Sequence, residues 1–197
     1  MTARAYLHTL GLALLAAALL RGFAVQAFKI PSASMMPTLL IGDHLLIDPL
    51  SYGLRLPWGG WLLRWATPQP GDVIVFASPR DATQDFVKRV VAVAGERVEV
   101  RDKQVLVDGA PRDVDAAYFI EGRSHVQSSD VRANFGPVWV PPGQIFVLGD
   151  NRDQSIDSRF WGFVDVSDVR GKAATVYWSR DGDDGWVRWE RVGNCVR

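Results

Sequence analysis

Two hydrophobic patterns divide the chain. Leu10–Leu20 is an unbroken apolar run of helix-forming residues. Alone it is too short to span a bilayer, which takes about 20 residues. Extended from Ala5 to Phe28 it is long enough, and then includes His8, Arg21 and Gln26; an arginine near one interface can reach the headgroups by snorkelling. This pattern predicts a membrane-anchoring N-terminal helix over residues 1–28. A cleavable leader is the alternative, with Arg4 as basic region, Leu10–Leu20 as apolar core and Val25-Gln26-Ala27 as a small-x-small cleavage site. Cleavage there would leave Ser34 a few residues from a new terminus, and Arg21 is unusual in such a position, so a retained single-pass anchor is favoured. Arg4 and the terminal amine on one side, against Arg21 and Lys29 on the other, carry almost no orientation signal.

From Gly42 onward the pattern shortens to strand-type runs: His44–Ile47, Asp72–Phe76, Phe86–Ala94, Arg97–Arg101, Gln104–Val107, Gln144–Leu148 and Ala173–Trp178. Turn residues separate them at Pro68-Gln69-Pro70-Gly71, Ala94-Gly95-Glu96, Asp108-Gly109-Ala110-Pro111 and Val140-Pro141-Pro142-Gly143. Arg97–Arg101, a turn at Asp102-Lys103 and Gln104–Val107 read as a hairpin. No long amphipathic helix follows the anchor. The expectation is a mostly β, sheet-rich domain over 29–197, in packed sheets or a partly open barrel, with a small inserted lobe at about 110–140, where the chain is polar and weakly patterned. Residues 54–65 combine tryptophans, leucines and arginines in a Gly/Pro-broken loop. That composition suits a membrane interface and equally suits aromatic cover over the end of a β core.

Composition narrows the function classes. Lys plus Arg and Asp plus Glu are 22 each, so the net charge is +0 and nothing global points to nucleic acid. Cys195 is the single cysteine, which excludes an intramolecular disulfide and leaves the compartment unreported.

The candidate chemistry begins with Ile30-Pro31-Ser32-Ala33-Ser34-Met35-Met36-Pro37-Thr38-Leu39. If extended, this segment puts Ser32 and Ser34 on one side, so that one hydroxyl can attack a carbonyl while the other donates to it. The plain alternative is a polar linker leaving the anchor. A serine nucleophile needs a base. His8 lies in the anchor, His44 in an apolar strand run and His125 in the polar lobe, none a persuasive triad context. Lysine serves when burial lowers its pKa, because only the neutral amine accepts a proton. Lys88 sits in the apolar run Asp85–Gly95, and is there either edge-exposed or buried for a purpose. The third cluster, Gly149–Gly162, follows an apolar strand. It lacks the ligand pattern of a calcium loop and fits a site-supporting loop: Ser155 can aim a neutral lysine amine, Asp157 and Arg159 can pair, and Asp150 can neutralise Arg89.

Ile30–Leu39, Gly71-Asp72-Val73-Ile74-Val75-Phe76, Val87–Gly95 and Gly149–Gly162, in that order, resemble the motifs of bacterial type I signal peptidases, membrane-anchored Ser/Lys proteases. The resemblance covers nearly all of the chain after the anchor. It implies Ser34 as nucleophile and Lys88 as general base. It further implies an oxyanion hole from the Ser32 hydroxyl and the Ser34 N–H, with support from Ser155, Asp157 and Arg159. Ile30, Pro31, Met35, Leu39, Phe86 and Val87 then match positions lining shallow pockets for small side chains before the cut. No metal or other cofactor is implied. The implied partners are signal peptides of exported preproteins and membrane lipid, with no nucleic acid. The implied location is the cell membrane, with the catalytic domain on the extracytoplasmic side. Gln154 stands where asparagine is usual, Gln26-Ala27 replaces an acidic-proline pair, and one anchor replaces the two of some members. A self-cleaving Ser/Lys repressor would instead carry a DNA-binding helix-turn-helix. The intact Ser34, Lys88 and Ser155 argue against a catalytically dead peptide-binding domain, while an enzyme dedicated to one substrate is compatible with the sequence.

Overall fold

The structure, a computed structural model, describes residues 6, 8–12, 26–56, 60–112, 117–119, 130–181 and 185–197. Among them no helix is long and apolar enough to cross a membrane. Most of the expected anchor lies outside the described residues. Its last part is corrected: Gln26–Lys29 is a strand, β1, so residues 26–28 belong to the sheet.

The expectation of a mostly β chain holds. β1 is followed by β2 (Asp43–Asp48), β3 (Gly53–Arg55), β4 (Trp61–Arg64), β5 (Val73–Ala77), β6 (Asp85–Val93), β7 (Arg97–Arg101), β8 (Gln104–Val107), β9 (Ala110–Pro111), β10 (Phe135–Trp139), β11 (Gln144–Leu148), β12 (Val164–Asp165) and β13 (Val169–Ser179). The longest described helix after β1 is α1 (Ser158–Trp161), a single turn capped by the Asp157 carboxylate.

A seven-stranded sheet runs β1-β2-β13-β5-β6-β11-β12, with antiparallel pairing throughout. A second sheet, β10-β7-β8-β9, forms the lobe. The lobe therefore starts at Arg97 rather than about 110, because the β7–β8 hairpin pairs with β10 and not with the main sheet. Its turn is as expected: Asp102 and Lys103 take φ of 49° and 68°, the left-handed pair that lets a two-residue loop follow the strand twist. Residues 113–116 and 120–129 of the lobe lie outside the described residues.

Residues 54–65 are not only loop. β3 and β4 pair as a two-stranded ribbon. Trp61 packs against the core cluster of Tyr52, Ile74, Phe76 and Val90, with the Arg55 guanidinium over its ring. Leu62, Leu63 and Trp65 are exposed. The core-cover reading thus holds for Trp61, and Trp58 lies outside the described residues.

β6 positions the site. Val87 joins a cluster with Ile30, Met35, Leu39 and Val75; Val90 joins the Phe76 cluster; Val91 and Ala92 join one with Phe146 and Leu148. Each large apolar side chain so buried contributes about 1.5–3 kcal/mol, and together they hold the strand on all sides. β5 pairs along Asp85–Arg89, whereas β11 pairs only along Arg89–Val93. Among the described residues no strand pairs with the other edge of Asp85–Lys88, and β1 pairs only with β2.

Candidate active site

Ser34 sits in a short 3-10 turn, Ala33–Met35, entered from the extended Ser32. The end of β11 and the loop after it hold this turn. The Asn151 N–H donates to the Ser34 carbonyl at 3.1 Å. The Asn151 side-chain amide donates to the Ala33 carbonyl at 3.2 Å, and Thr38 Oγ1 donates to Asp150 at 2.6 Å. The Ser34 N–H has no acceptor among the described residues.

Lys88, 54 positions later, points at this turn. Its Nζ donates to Ser34 Oγ at 2.8 Å and to the Val87 carbonyl at 3.0 Å. Ser34 is 9% exposed and Lys88 5%. Of the alternatives for Lys88, the buried one is correct, because β6 is enclosed by the three apolar clusters. Burial lowers the Lys88 pKa from 10.5 to about 8, against the opposing pull of the Asp157 and Asp150 carboxylates. An appreciable share of neutral amine therefore exists near neutral pH, in contact with a hydroxyl. That pair can transfer a proton from serine to lysine and generate an alkoxide. Ser32 Oγ lies 3.3 Å from Ser34 Oγ and is solvent-accessible, free to turn toward a charge forming beside Ser34.

The last motif builds the rear wall. Arg89 grips Asp150 with two hydrogen bonds, Nε–Oδ1 at 2.8 Å and Nη2–Oδ2 at 2.7 Å. Arg159 grips Asp157 the same way at 2.8 Å for each bond. Both pairs are almost fully buried. Asp157 also accepts from the Gly149 N–H at 3.1 Å. Ser155 is fully buried behind the turn, but its hydroxyl has no hydrogen-bond partner among the described residues; the Val87 carbonyl takes the Lys88 bond that Ser155 was expected to make.

Gly149 leaves no room for a side chain. A Cβ there would lie 2.3 Å from Ser155 Oγ and 2.4 Å from the Ser34 carbonyl oxygen. Gly149→Ala must push the Ser34 turn away from Lys88. Because small misplacements of reacting groups are costly, we expect kcat to fall about 100-fold, with circular dichroism unchanged in shape; peptide hydrolysis by the purified variant checks this.

A groove of about 340 Å³ is lined by Phe28, Ile30, Pro31, Met35, Phe86 and Val87, by the polar Gln84 and Asp85, and by Ser32, Ser34 and Lys88. Five of the six expected pocket residues are on its wall. Leu39 is the exception: it is 0% exposed and packs behind Ile30 and Met35. The Phe86 ring is backed by Trp161, stacked at 5.4 Å. Three contributors were missed in the sequence. Gly149 and Asn151 lay inside a motif without an assigned role, and Phe28 was taken for anchor.

The family described as signal peptidase, peptidase S26, matches residues 3–178. A signal peptidase I of Pseudomonas fluorescens is 36% identical over 190 residues, covering 81% of this chain and 67% of that relative. A probable signal peptidase I-1 of Synechocystis sp. is 36% identical over 189 residues, covering 92% of this chain and 83% of the relative. Among solved structures, a signal peptidase I from Enterococcus faecalis is 34% identical with a TM-score of 0.43, over 53% of this chain and 95% of the other.

Proposed function

This chain belongs to the signal peptidase family, peptidase S26, and is a serine endopeptidase; on that premise we propose that it removes N-terminal signal peptides from exported preproteins, with Ser34 as nucleophile and Lys88 as general base. The observation that carries the assignment of roles is the 2.8 Å hydrogen bond from buried Lys88 Nζ to Ser34 Oγ. Residues 26–197 form the protease domain on the extracytoplasmic side of the cell membrane, held there by the apolar segment before them.

An extended substrate segment enters the groove and pairs with β1 and Asp85–Lys88 along the edges that no described strand takes, so main-chain hydrogen bonds supply much of its affinity. The apolar side chains of Ile30, Met35, Phe86 and Val87 on its wall favour small side chains at the first and third positions before the cut. Neutral Lys88 takes the Ser34 proton as Oγ attacks the scissile carbonyl. The Ser34 N–H and the Ser32 hydroxyl donate to the oxyanion, Lys88 protonates the leaving amine, and a water activated by the same lysine clears the acyl-enzyme. Ser155, Asp157 and Arg159 keep the wall behind the dyad rigid.

The oxyanion role of Ser32 has its own expected result. An oxyanion donor is worth about 2.7–4 kcal/mol, so Ser32→Ala lowers kcat about 100-fold or more with KM little changed. Ser32→Thr, which keeps the hydroxyl, retains most of the rate. Steady-state kinetics on a signal-peptide substrate separates the two parameters.

Incubation of the purified chain with several preproteins, followed by amino-terminal sequencing of the products, tests the whole reading. The expected products begin just after a small-x-small sequence. Peptide binding with no product would favour a binding domain without catalysis, and cleavage of one preprotein alone would favour a dedicated processing enzyme.

A further inference from the structure

Thr38 follows the Ser34 turn in the same motif, and the loop after β11 holds both ends of the stretch between them. Asn151 donates to the Ser34 and Ala33 carbonyls, while the neighbouring Asp150 carboxylate accepts from Thr38 Oγ1 at 2.6 Å. The stretch is also bonded internally: the Met36 N–H donates to the Ala33 carbonyl at 3.1 Å and the Leu39 N–H to the Met35 carbonyl at 2.9 Å. A second buried ion pair reaches the same threonine. Asp43, the first residue of β2, is 0% exposed. Its carboxylate accepts from Arg191 Nε at 3.0 Å, from Ser179 Oγ at 2.6 Å and from the Leu40 N–H at 2.8 Å. Arg191, in the short 3-10 turn Trp189–Arg191, also donates through Nη2 to the Thr38 carbonyl at 2.9 Å. Thr38 is thus bonded through its hydroxyl to the Arg89–Asp150 pair and through its carbonyl to the Arg191–Asp43 pair. The segment after Arg191 touches the same structure: Val196 packs on the cluster of Met35 and Leu39, and Arg89 Nη2 donates to the Arg197 main-chain oxygen at 3.0 Å.

We propose that Thr38 is a positioning residue for peptide cleavage, fixing the Ser34 turn against Lys88 by joining it to both buried ion pairs. The Asp150 carboxylate is already gripped twice by Arg89, so the Thr38 hydroxyl adds little charge compensation. What it adds is a short, directional bond to an ionised group, on a part of the fold that two ion pairs hold still. The Ser34 hydroxyl must stay within reach of Lys88 Nζ, and small displacements of reacting groups are costly in rate. Neither Thr38 nor Arg191 lines the substrate groove, so the bond acts on turnover rather than on substrate binding. The inference rests on Ser34 and Lys88 being the catalytic pair.

The test is steady-state hydrolysis of a quenched-fluorescence peptide, with Ala-x-Ala before the cut, by the full chain in nonionic detergent. Thr38→Val keeps the shape and removes the hydroxyl. It is expected to lower kcat about tenfold with KM within about twofold, while Thr38→Ser, which keeps the donor, retains most of the rate. Arg191→Lys keeps a cation for Asp43 but not the fork that also reaches Thr38, and is expected to lower kcat in the same way; it serves as the second variant should Thr38→Val not fold. The pH profile of kcat/KM for Thr38→Val is expected to keep its midpoint and lose height, because the hydrogen bonds of Lys88 Nζ go to Ser34 and Val87 and not to Thr38. An unchanged kcat in Thr38→Val overturns the proposal, as does an equal loss in Thr38→Ser. A loss of rate matched by a loss of folded protein in circular dichroism overturns it too. A rise in KM alone would assign Thr38 to substrate binding, and a shifted midpoint to the charge around Lys88; either contradicts a positioning role. Ser34→Ala is measured beside them. If it still cleaves, the catalytic pair itself is wrong; if it is inactive while Thr38→Val is unimpaired, only the role of Thr38 falls.

Discussion

Lys88→Met is expected to lower kcat/KM for a signal-peptide substrate about 10⁴-fold and, at the same time, to raise the stability of the fold. The loss follows from removing the base in contact with Ser34 Oγ. Ser34→Ala should lose as much, and the double variant no more, because the two groups act as a unit. The gain follows from the buried charge. The folded pKa of Lys88, about 8, lies below its ordinary 10.5. Between those values the unfolded chain binds more protons, so stability rises with pH across that window. Below about pH 8 both states are protonated and the burial cost is fully present. Methionine fills similar space without charge, but forfeits the bonds to Ser34 and Val87. A net gain of about 1–3 kcal/mol at pH 7 is expected, or several degrees in Tm, shrinking as the pH approaches 10.5. Thermal denaturation of the two proteins at pH 7 and pH 10 checks the sign.

Asp150→Ala is expected to cost about 3–5 kcal/mol of stability, the penalty of leaving a buried charge without its partner. Asp150 is 0% exposed and neutralises Arg89, itself 3% exposed, while also holding Thr38 below the Ser34 turn. Arg89 would keep the Gly71 carbonyl at 2.8 Å and the Arg197 main-chain oxygen at 3.0 Å but lose the Asp150 carboxylate. Replacing both partners, Arg89→Met with Asp150→Leu, removes the stranded charge and should recover a large part of the loss. Urea denaturation of the two single variants and the double variant gives the coupling directly. Equal losses in all three would mean that packing, not charge, sets the cost.

The particular strands show what a sequence reveals. Arg97–Arg101, Gln104–Val107 and Gln144–Leu148 are bounded in the structure where their patterns end, because alternation and turn residues are local signals. β1 was hidden, since Gln26–Lys29 follows an apolar run and becomes a strand only through pairing with β2, a long-range event. β3 and β4 were obscured by glycine and proline. β10 was obscured by a bulge and by Gly136-Pro137 within it. In the site, the sequence supplied Ser34 and Lys88 as residue types in motifs, and their contact is a tertiary fact that only the enclosure of β6 explains. Ser155 is the instructive difference: it was expected to aim the Lys88 amine, and in the structure that amine donates instead to the neighbouring Val87 carbonyl. Leu39 differs for a similar reason, since a motif position fixes neighbourhood but not which side of a wall a side chain takes.

The central claim is that neutral Lys88 is the base for Ser34, and the pH dependence of kcat/KM tests it most directly. The free enzyme's kcat/KM on a peptide without titrating groups, measured from pH 6 to pH 10, is expected to rise tenfold per pH unit at the acid end and level off around the Lys88 pKa of about 8. A profile already flat between pH 6.5 and pH 9, or one that keeps its shape and size in Lys88→Met, would contradict the account.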